Sequence, residues 1–156
     1  MSRIQELGAS PLMVIRIKFG NEVFKFNLFE ECKVDEADLE TELKDLPSSY
    51  SYLIMLHRKL ISNLKVLEDE KKKVEARRYI HYATSTESIY YSTHGRLPPV
   101  RLAEAFTEND KHYKDICSRV LQASEDTATI EAAVRSFEVK KDLVQTLSAN
   151  LRKERI

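Results

Sequence analysis

Chemistry in this sequence concentrates in one run, Lys71-Lys72-Lys73-Val74-Glu75-Ala76-Arg77-Arg78-Tyr79-Ile80-His81-Tyr82, followed by Tyr90, Tyr91, Arg96 and Arg101. On a helix, residues four apart share a face, which sets Lys73 beside Arg77, Val74 beside Arg78 and Arg78 beside Tyr82. Cations next to aromatic rings suit single-stranded nucleic acid: the cations track phosphates and the rings stack on unpaired bases, each stack being worth ~1–3 kcal/mol. The candidate residues are Lys71, Lys72, Lys73, Arg77, Arg78, Tyr79, Tyr82 and Arg96. One copy of the patch offers few contacts and binds weakly at physiological salt. Repetition around an oligomer would raise avidity by as much as ~10²–10⁴. The same residues also fit a solvated helix face, with the lysines paired to Glu68, Asp69, Glu70 and Glu75 and the tyrosines packed at a helical tip.

No catalytic constellation stands beside this run. His57, His81, His94 and His112 form neither HExxH nor a His/Cys set at metal-ligand spacing. With Gly8, Gly20 and Gly95 as the three glycines, no phosphate-cradling loop is available. Cys32 and Cys117, far apart and outside any CxxC, read as free thiols. The expectation is a non-enzymatic protein with no cofactor and no metal. The chain carries 25 basic and 25 acidic residues, so bulk charge does not drive it onto a polyanion. The distribution is uneven. Between Glu30 and Pro47 eight acids face two lysines, whereas between His57 and Arg101 ten Lys or Arg face five acids, so a polyanion site belongs in the second stretch. Absence of a long apolar run excludes a membrane span, and the N-terminus does not read as a signal peptide, which points to work inside a cell, in the cytoplasm.

The elements that must position these residues are mostly helical. At 156 residues with 32% charged residues and 3 Gly, the chain fits an elongated, helix-rich protein. Alternating four- and three-residue steps run from Leu102 to Leu151 through Phe106, Asn109, Tyr113, Ile116, Val120, Ala123, Thr127, Ile130, Val134, Phe137, Lys141, Val144 and Ser148. Such a stripe predicts one helix of about 50 residues, ~75 Å long, which needs an equally long partner from this chain or from another copy. Ile116, Val120, Ile130, Val134, Phe137, Val144 and Leu151 are the candidate oligomerisation residues. A second long helix, capped by Ser48 or Ser49 and reaching about Ala83, carries Leu53, Leu56, Leu60, Leu64, Leu67 and Val74 on its apolar side, with Arg78 and His81 continuing the line. A short acidic helix from Asp35, ended by Leu46-Pro47, precedes it. Residues 84–99 read as the loop of an antiparallel helical hairpin, and residues 152–156 as a fraying end.

Residues Leu12 to Leu28 read as a β-hairpin turning at Gly20-Asn21, with Phe19 opposite Glu22, Ile17 opposite Phe24 and Ile15 opposite Phe26. Two strands alone are marginal in water, so their apolar face rests on the chain's own helices or joins strands of neighbouring subunits. The predicted fold is mainly α: an N-terminal β-hairpin extension over residues 1–30, then a helical oligomerisation and nucleic-acid-binding domain over 31–156. That domain holds a short helix and two long antiparallel helices in an oligomerising hairpin.

This pattern resembles phage recombination mediators of the UvsY type. The resemblance covers roughly Asp35 to the C-terminus. It lies in the acidic leader Asp38-Leu39-Glu40-Thr41-Glu42-Leu43-Lys44, the basic tyrosine-rich Ala76-Arg77-Arg78-Tyr79-Ile80-His81-Tyr82, the connection with His94-Gly95-Arg96, and the long C-terminal helix. The family's Lys-Ala-Arg tripeptide reads Glu75-Ala76-Arg77 here, so Arg77 carries over while a glutamate replaces the lysine; Lys72, Lys73 or Arg78 would restore the charge. The resemblance implies a non-enzymatic mediator that forms a hexameric or heptameric ring and binds single-stranded DNA. It also implies help in loading a RecA-like recombinase onto strands covered by single-strand-binding protein, in an infected bacterial host. Two other classes fit the residues. One is a structural or virion-associated helical oligomer without nucleic-acid binding. The other is a prefoldin-like chaperone, although in prefoldins the β-hairpins interrupt the two helices, whereas here the hairpin precedes both.

Overall fold

Alternation of Ile15 and Ile17 with Arg16 and Lys18 gives a strand with one apolar face. In the computed structural model, which describes residues 14–19 and 21–154, β1 (Val14–Phe19) pairs antiparallel with β2 (Glu22–Asn27). The register sets Phe19 opposite Glu22, Ile17 opposite Phe24 and Ile15 opposite Phe26, as the alternation predicts. Gly20 of the predicted turn and Leu12 at the predicted start lie outside the described residues. Ile15 and Ile17 are buried, and the Phe24 ring lies 6.1 Å from that of Tyr52. Phe24, Phe26, Tyr52, Leu53 and Phe137 together line a cavity of about 560 Å³. The hairpin therefore rests on the chain's own helices.

Asn27 then starts a helix that the sequence reading missed. Its Oδ1 accepts the Phe29 amide at 3.0 Å, capping α1 (Leu28–Cys32). Asp35 caps in the same way, accepting the Ala37 amide at 2.9 Å over one 3₁₀ turn (Glu36–Asp38). From there α2 runs unbroken from Leu39 to Thr84. Pro47 lies inside α2 and ends nothing, so the predicted break at Leu46-Pro47 and the Ser48 or Ser49 cap are corrected. Proline removes one backbone donor, and burial of Leu39, Leu46, Leu53 and Leu56 on a common face keeps the helix going through it.

Residues 84–99 hold more structure than the loop expected there. Ser88 Oγ accepts the Tyr91 amide at 3.1 Å and starts α3 (Ile89–His94), which Gly95 closes in the left-handed conformation at φ 67°. Next come α4 (Val100–Asn109) and α5 (Lys111–Glu154). The single helix predicted through Leu102–Leu151 is thus two, interrupted at Asp110, whose backbone is extended (φ −64°, ψ 135°). Of the predicted frayed end, α5 includes residues up to Glu154, and the last two residues lie outside the described ones.

The chain is mainly α with an N-terminal β-hairpin, and it forms two compact units. One unit joins the hairpin, the residues up to Lys59 and those from Asp126 onward; the other is Leu60–Glu125. In the Leu60–Glu125 unit, Leu67 of α2 packs with Ile116 and Ala123 of α5, flanked by Leu64, Val74, Tyr113 and Val120. In the other unit Leu53, Leu56, Ile130, Ala133, Phe137 and Val144 are buried.

These burials change the part assigned to the seam. Ile116, Ile130, Phe137 and Val144 are buried within a single chain, and Val120 and Val134 are half-buried, so the long partner they need is supplied by this chain itself. Leu151 is exposed. The stripe also drifts: Ala133 and Lys140 are buried where the strict repeat named Val134 and Lys141. Two three-residue steps in succession, Thr127 to Ile130 to Ala133, set the intervening buried position back by one residue, while Ile130, Phe137 and Val144 stay on the line.

Candidate nucleic-acid interface

Within the Leu60–Glu125 unit, α2 holds seven of the eight candidate strand-binding residues, and the helix divides them among three faces. Arg78 turns inward. Its Nε donates to Asp110 Oδ1 at 3.0 Å, and Tyr82 Oη donates to the other carboxylate oxygen at 2.8 Å. Asp110 Oδ1 also accepts the backbone amides of His112 at 2.8 Å and Tyr113 at 3.2 Å, so the same carboxylate caps α5. Asp110 is 5% exposed at its side chain and Arg78 29%. Burial alone would raise the Asp110 carboxyl; hydrogen bonds from Tyr82, the Tyr113 amide and Arg78 outweigh it, and the net direction is downward. The Tyr82 phenol is pushed up, first by its hydrogen bond to Asp110 and then by burial. Arg78 and Tyr82 are thereby committed to a structural cluster.

Lys73 and Arg77 stand on a different, exposed face, one turn apart. Arg77 Nε donates to the Lys73 carbonyl at 3.2 Å, a contact within the helix that leaves the rest of the guanidinium facing water. Among the described residues no carboxylate pairs with either side chain. The remaining cations are partly engaged. Lys72 Nζ is 3.9 Å from Asp69, an exposed pair of little energetic weight, and Lys71 Nζ lies 5.8 Å from the centre of the Tyr113 ring. Arg96 follows Gly95 and is exposed, and no described contact brings it to the α2 cations.

Tyr79 belongs to the third face. It is half-buried and lines a cleft of about 570 Å³ with Lys72, Glu75 and Ala76 of α2, Glu104, Thr107 and Glu108 of α4, and Tyr113 of α5. Three carboxylates against one ammonium make that cleft a poor seat for phosphates. The stacking surface expected beside the cations is therefore turned away from Lys73 and Arg77. Further along the chain, Tyr90 stacks on His94 with ring centres 4.2 Å apart.

The sequence reading missed Asp110. Its signal was present, since Asn109-Asp110 ahead of a helical run is an N-cap pattern, but the apolar stripe passed through it without a gap. Among the described residues no group of His, Cys, Asp or Glu is arranged to hold a metal ion, and no helix is long and apolar enough to cross a membrane. Cys32 and Cys117 are half-buried free thiols. No family model matches this chain, and neither a curated protein nor a solved structure does, so its assignment rests on the arrangement of its own residues.

Proposed function

We propose that this protein is a non-enzymatic, single-strand-binding assembly factor that holds DNA through the Lys73–Arg77 face of α2. One observation carries the reading: two cations stand one helical turn apart, exposed, with no carboxylate paired to them among the described residues. Free cations release counterions when they meet phosphates, and that release is the main drive of such binding. On the resemblance to UvsY-type mediators, copies gather into a ring that bends the strand and assists a RecA-like recombinase in displacing single-strand-binding protein. Those copies meet through residues other than the buried seam.

The test is titration of fluorescent poly-dT at several salt concentrations, with light scattering on the same sample. Binding should weaken as salt rises, and Lys73→Ala with Arg77→Ala should flatten the log K against log salt slope by about 1.4, from two phosphate contacts at ~0.7 each. An unchanged slope in the double variant, or no binding by the parent in dilute buffer, overturns the proposal. The second reading is a structural helical protein; it is favoured by the commitment of Arg78 and Tyr82 to Asp110.

A further inference from the structure

The apolar stripe of the sequence and the helix break of the structure disagree at one residue. Leu102, Phe106, Asn109, Tyr113 and Ile116 would share one face of a single helix, yet α4 stops at Asn109 and α5 starts at Lys111. Residues 100–115 hold neither glycine nor proline, and Ala103, Glu104, Ala105, Glu108, Lys111 and Lys114 are all good helix formers. Apart from the capping signal of Asp110 itself, nothing in the local sequence demands a break. Glu104 and Tyr113 show that the chain bends there: nine residues apart, they would stand on opposite sides of one straight helix, but they line the same cleft.

The bend is held chiefly by polar groups. Asp110 Oδ1 accepts the His112 and Tyr113 amides, which an unbroken helix would bond to the Glu108 and Asn109 carbonyls, and the same carboxylate takes Arg78 and Tyr82. The apolar hold on α4 is light by comparison. Its two buried residues, Ala103 and Thr107, are small, and Leu102 and Phe106 are half-buried, with the Phe106 ring 5.7 Å from that of Tyr82 and 6.3 Å from that of Tyr90. Asp110 already has a helical φ of −64°; moving its ψ from 135° to about −42° would join the two helices.

We propose that the α4–α5 junction is a two-state hinge clasped by Asp110: bent while the carboxylate caps α5 and holds Arg78 and Tyr82, and one continuous helix from Val100 to Glu154 once the clasp is released. The straight form regains the interrupted backbone hydrogen bonds and lifts Phe106 from the rings of Tyr82 and Tyr90, so the side chain at position 110 decides which form is populated. Neither Lys73 nor Arg77 takes part in the clasp, so the hinge stands or falls independently of strand binding.

The test is double electron–electron resonance on the full chain carrying Cys32→Ser and Cys117→Ser, with spin labels at Arg101→Cys on α4 and Arg119→Cys on α5. Labelled chains are diluted into unlabelled protein so that distances within one chain are read. Both label positions are exposed and about five turns apart, which in the straight form separates them by ~27 Å along the axis. The parent should give a shorter distance, and Asp110→Ala should move the main population to the long one. Adding Lys111→Pro to Asp110→Ala should restore the short distance, because proline suits the first position of α5 and keeps the residue before it extended, whereas a continuous helix excludes it. Should Asp110→Ala lose its cooperative melt, Tyr82→Phe is read instead, and a second population at the long distance is expected. The proposal is overturned by a long distance in the parent, by the parent's distribution in the variant that is read, or by a long distance that survives Lys111→Pro.

Discussion

Among the described residues, each unit of this protein holds one largely buried ion pair between helices, and the two pairs are built around opposite charges. In the Leu60–Glu125 unit the centre is an anion: Asp110 takes Arg78, the Tyr82 hydroxyl and two amides of the α5 N-terminus. In the other unit the centre is a cation. Lys140, 9% exposed, donates to Glu42 Oε2 at 2.7 Å and to the Glu31 carbonyl at 2.9 Å, next to Cys32, whose thiol is pushed up by burial. An anion at a helix N-terminus is stabilised by the helix itself, whereas a lysine in mid-helix depends on the groups that reach it from elsewhere. Asp110 therefore sets where a helix begins, and Lys140 ties α1 and α2 to a helix that forms regardless.

Removing the two centres should separate these roles. Asp110→Ala leaves Arg78 partly buried without its counter-charge and strips the α5 cap, so a loss of about 3–5 kcal/mol is expected in chemical denaturation. Lys140→Met keeps the aliphatic stem and leaves Glu42, which is 18% exposed, able to turn toward water; about 1–3 kcal/mol is expected. Equal losses in the two variants would show that the cap adds nothing and that burial alone decides the cost.

Acid should break the comparison along the same line. The folded Asp110 carboxyl lies below its ordinary value, so its stabilisation is present above the unfolded pKa and is lost as pH falls through the folded one. Asp110→Asn should remove that part of the acid sensitivity, seen as a shallower fall of melting temperature as pH drops below about 4. A parent-like slope in Asp110→Asn would show that the carboxyl titrates alike in both states.

The same contrast explains what could be read beforehand. The hairpin register and the leucine face of α2 followed from period alone, because alternation and the 3.6-residue repeat fix which side chains share a face. Placing Arg78 on the apolar line was also sound, but the sequence cannot say which carboxylate across the fold meets it. Asp110 lay 32 residues away, inside a stripe whose regularity concealed the break. Lys140 was hidden for a second reason: a strict repeat names Lys141, but two successive three-residue steps, Thr127 to Ile130 to Ala133, put Lys140 on the buried line, leaving Lys141 over the Tyr50 ring at 5.7 Å. Pro47 misled in the other direction, since local propensity marks a stop that burial of Leu46 and Leu53 overrides. Of the basic run, composition located the charge; only packing separates the free Lys73 and Arg77 from the committed Arg78.

The smallest effect is the sharpest comparison, because it alters one hydroxyl in each unit. Tyr82 Oη donates to Asp110 at 2.8 Å in a largely buried cluster, and Tyr50 Oη donates to Glu138 at the same distance on the surface. Each bond pushes its phenol up, so in both cases the charged acceptor favours the protonated donor. What differs is the fate of the acceptor when the hydroxyl is removed. In Tyr82→Phe the second Asp110 oxygen loses its partner where water reaches it poorly, and about 1.5 kcal/mol should be lost. In Tyr50→Phe the Glu138 carboxylate is rehydrated at once, and no measurable loss is expected. Equal values would mean that Asp110 is as well hydrated as a surface carboxylate, and the reading of Arg78 as held away from any bound strand would fall with it.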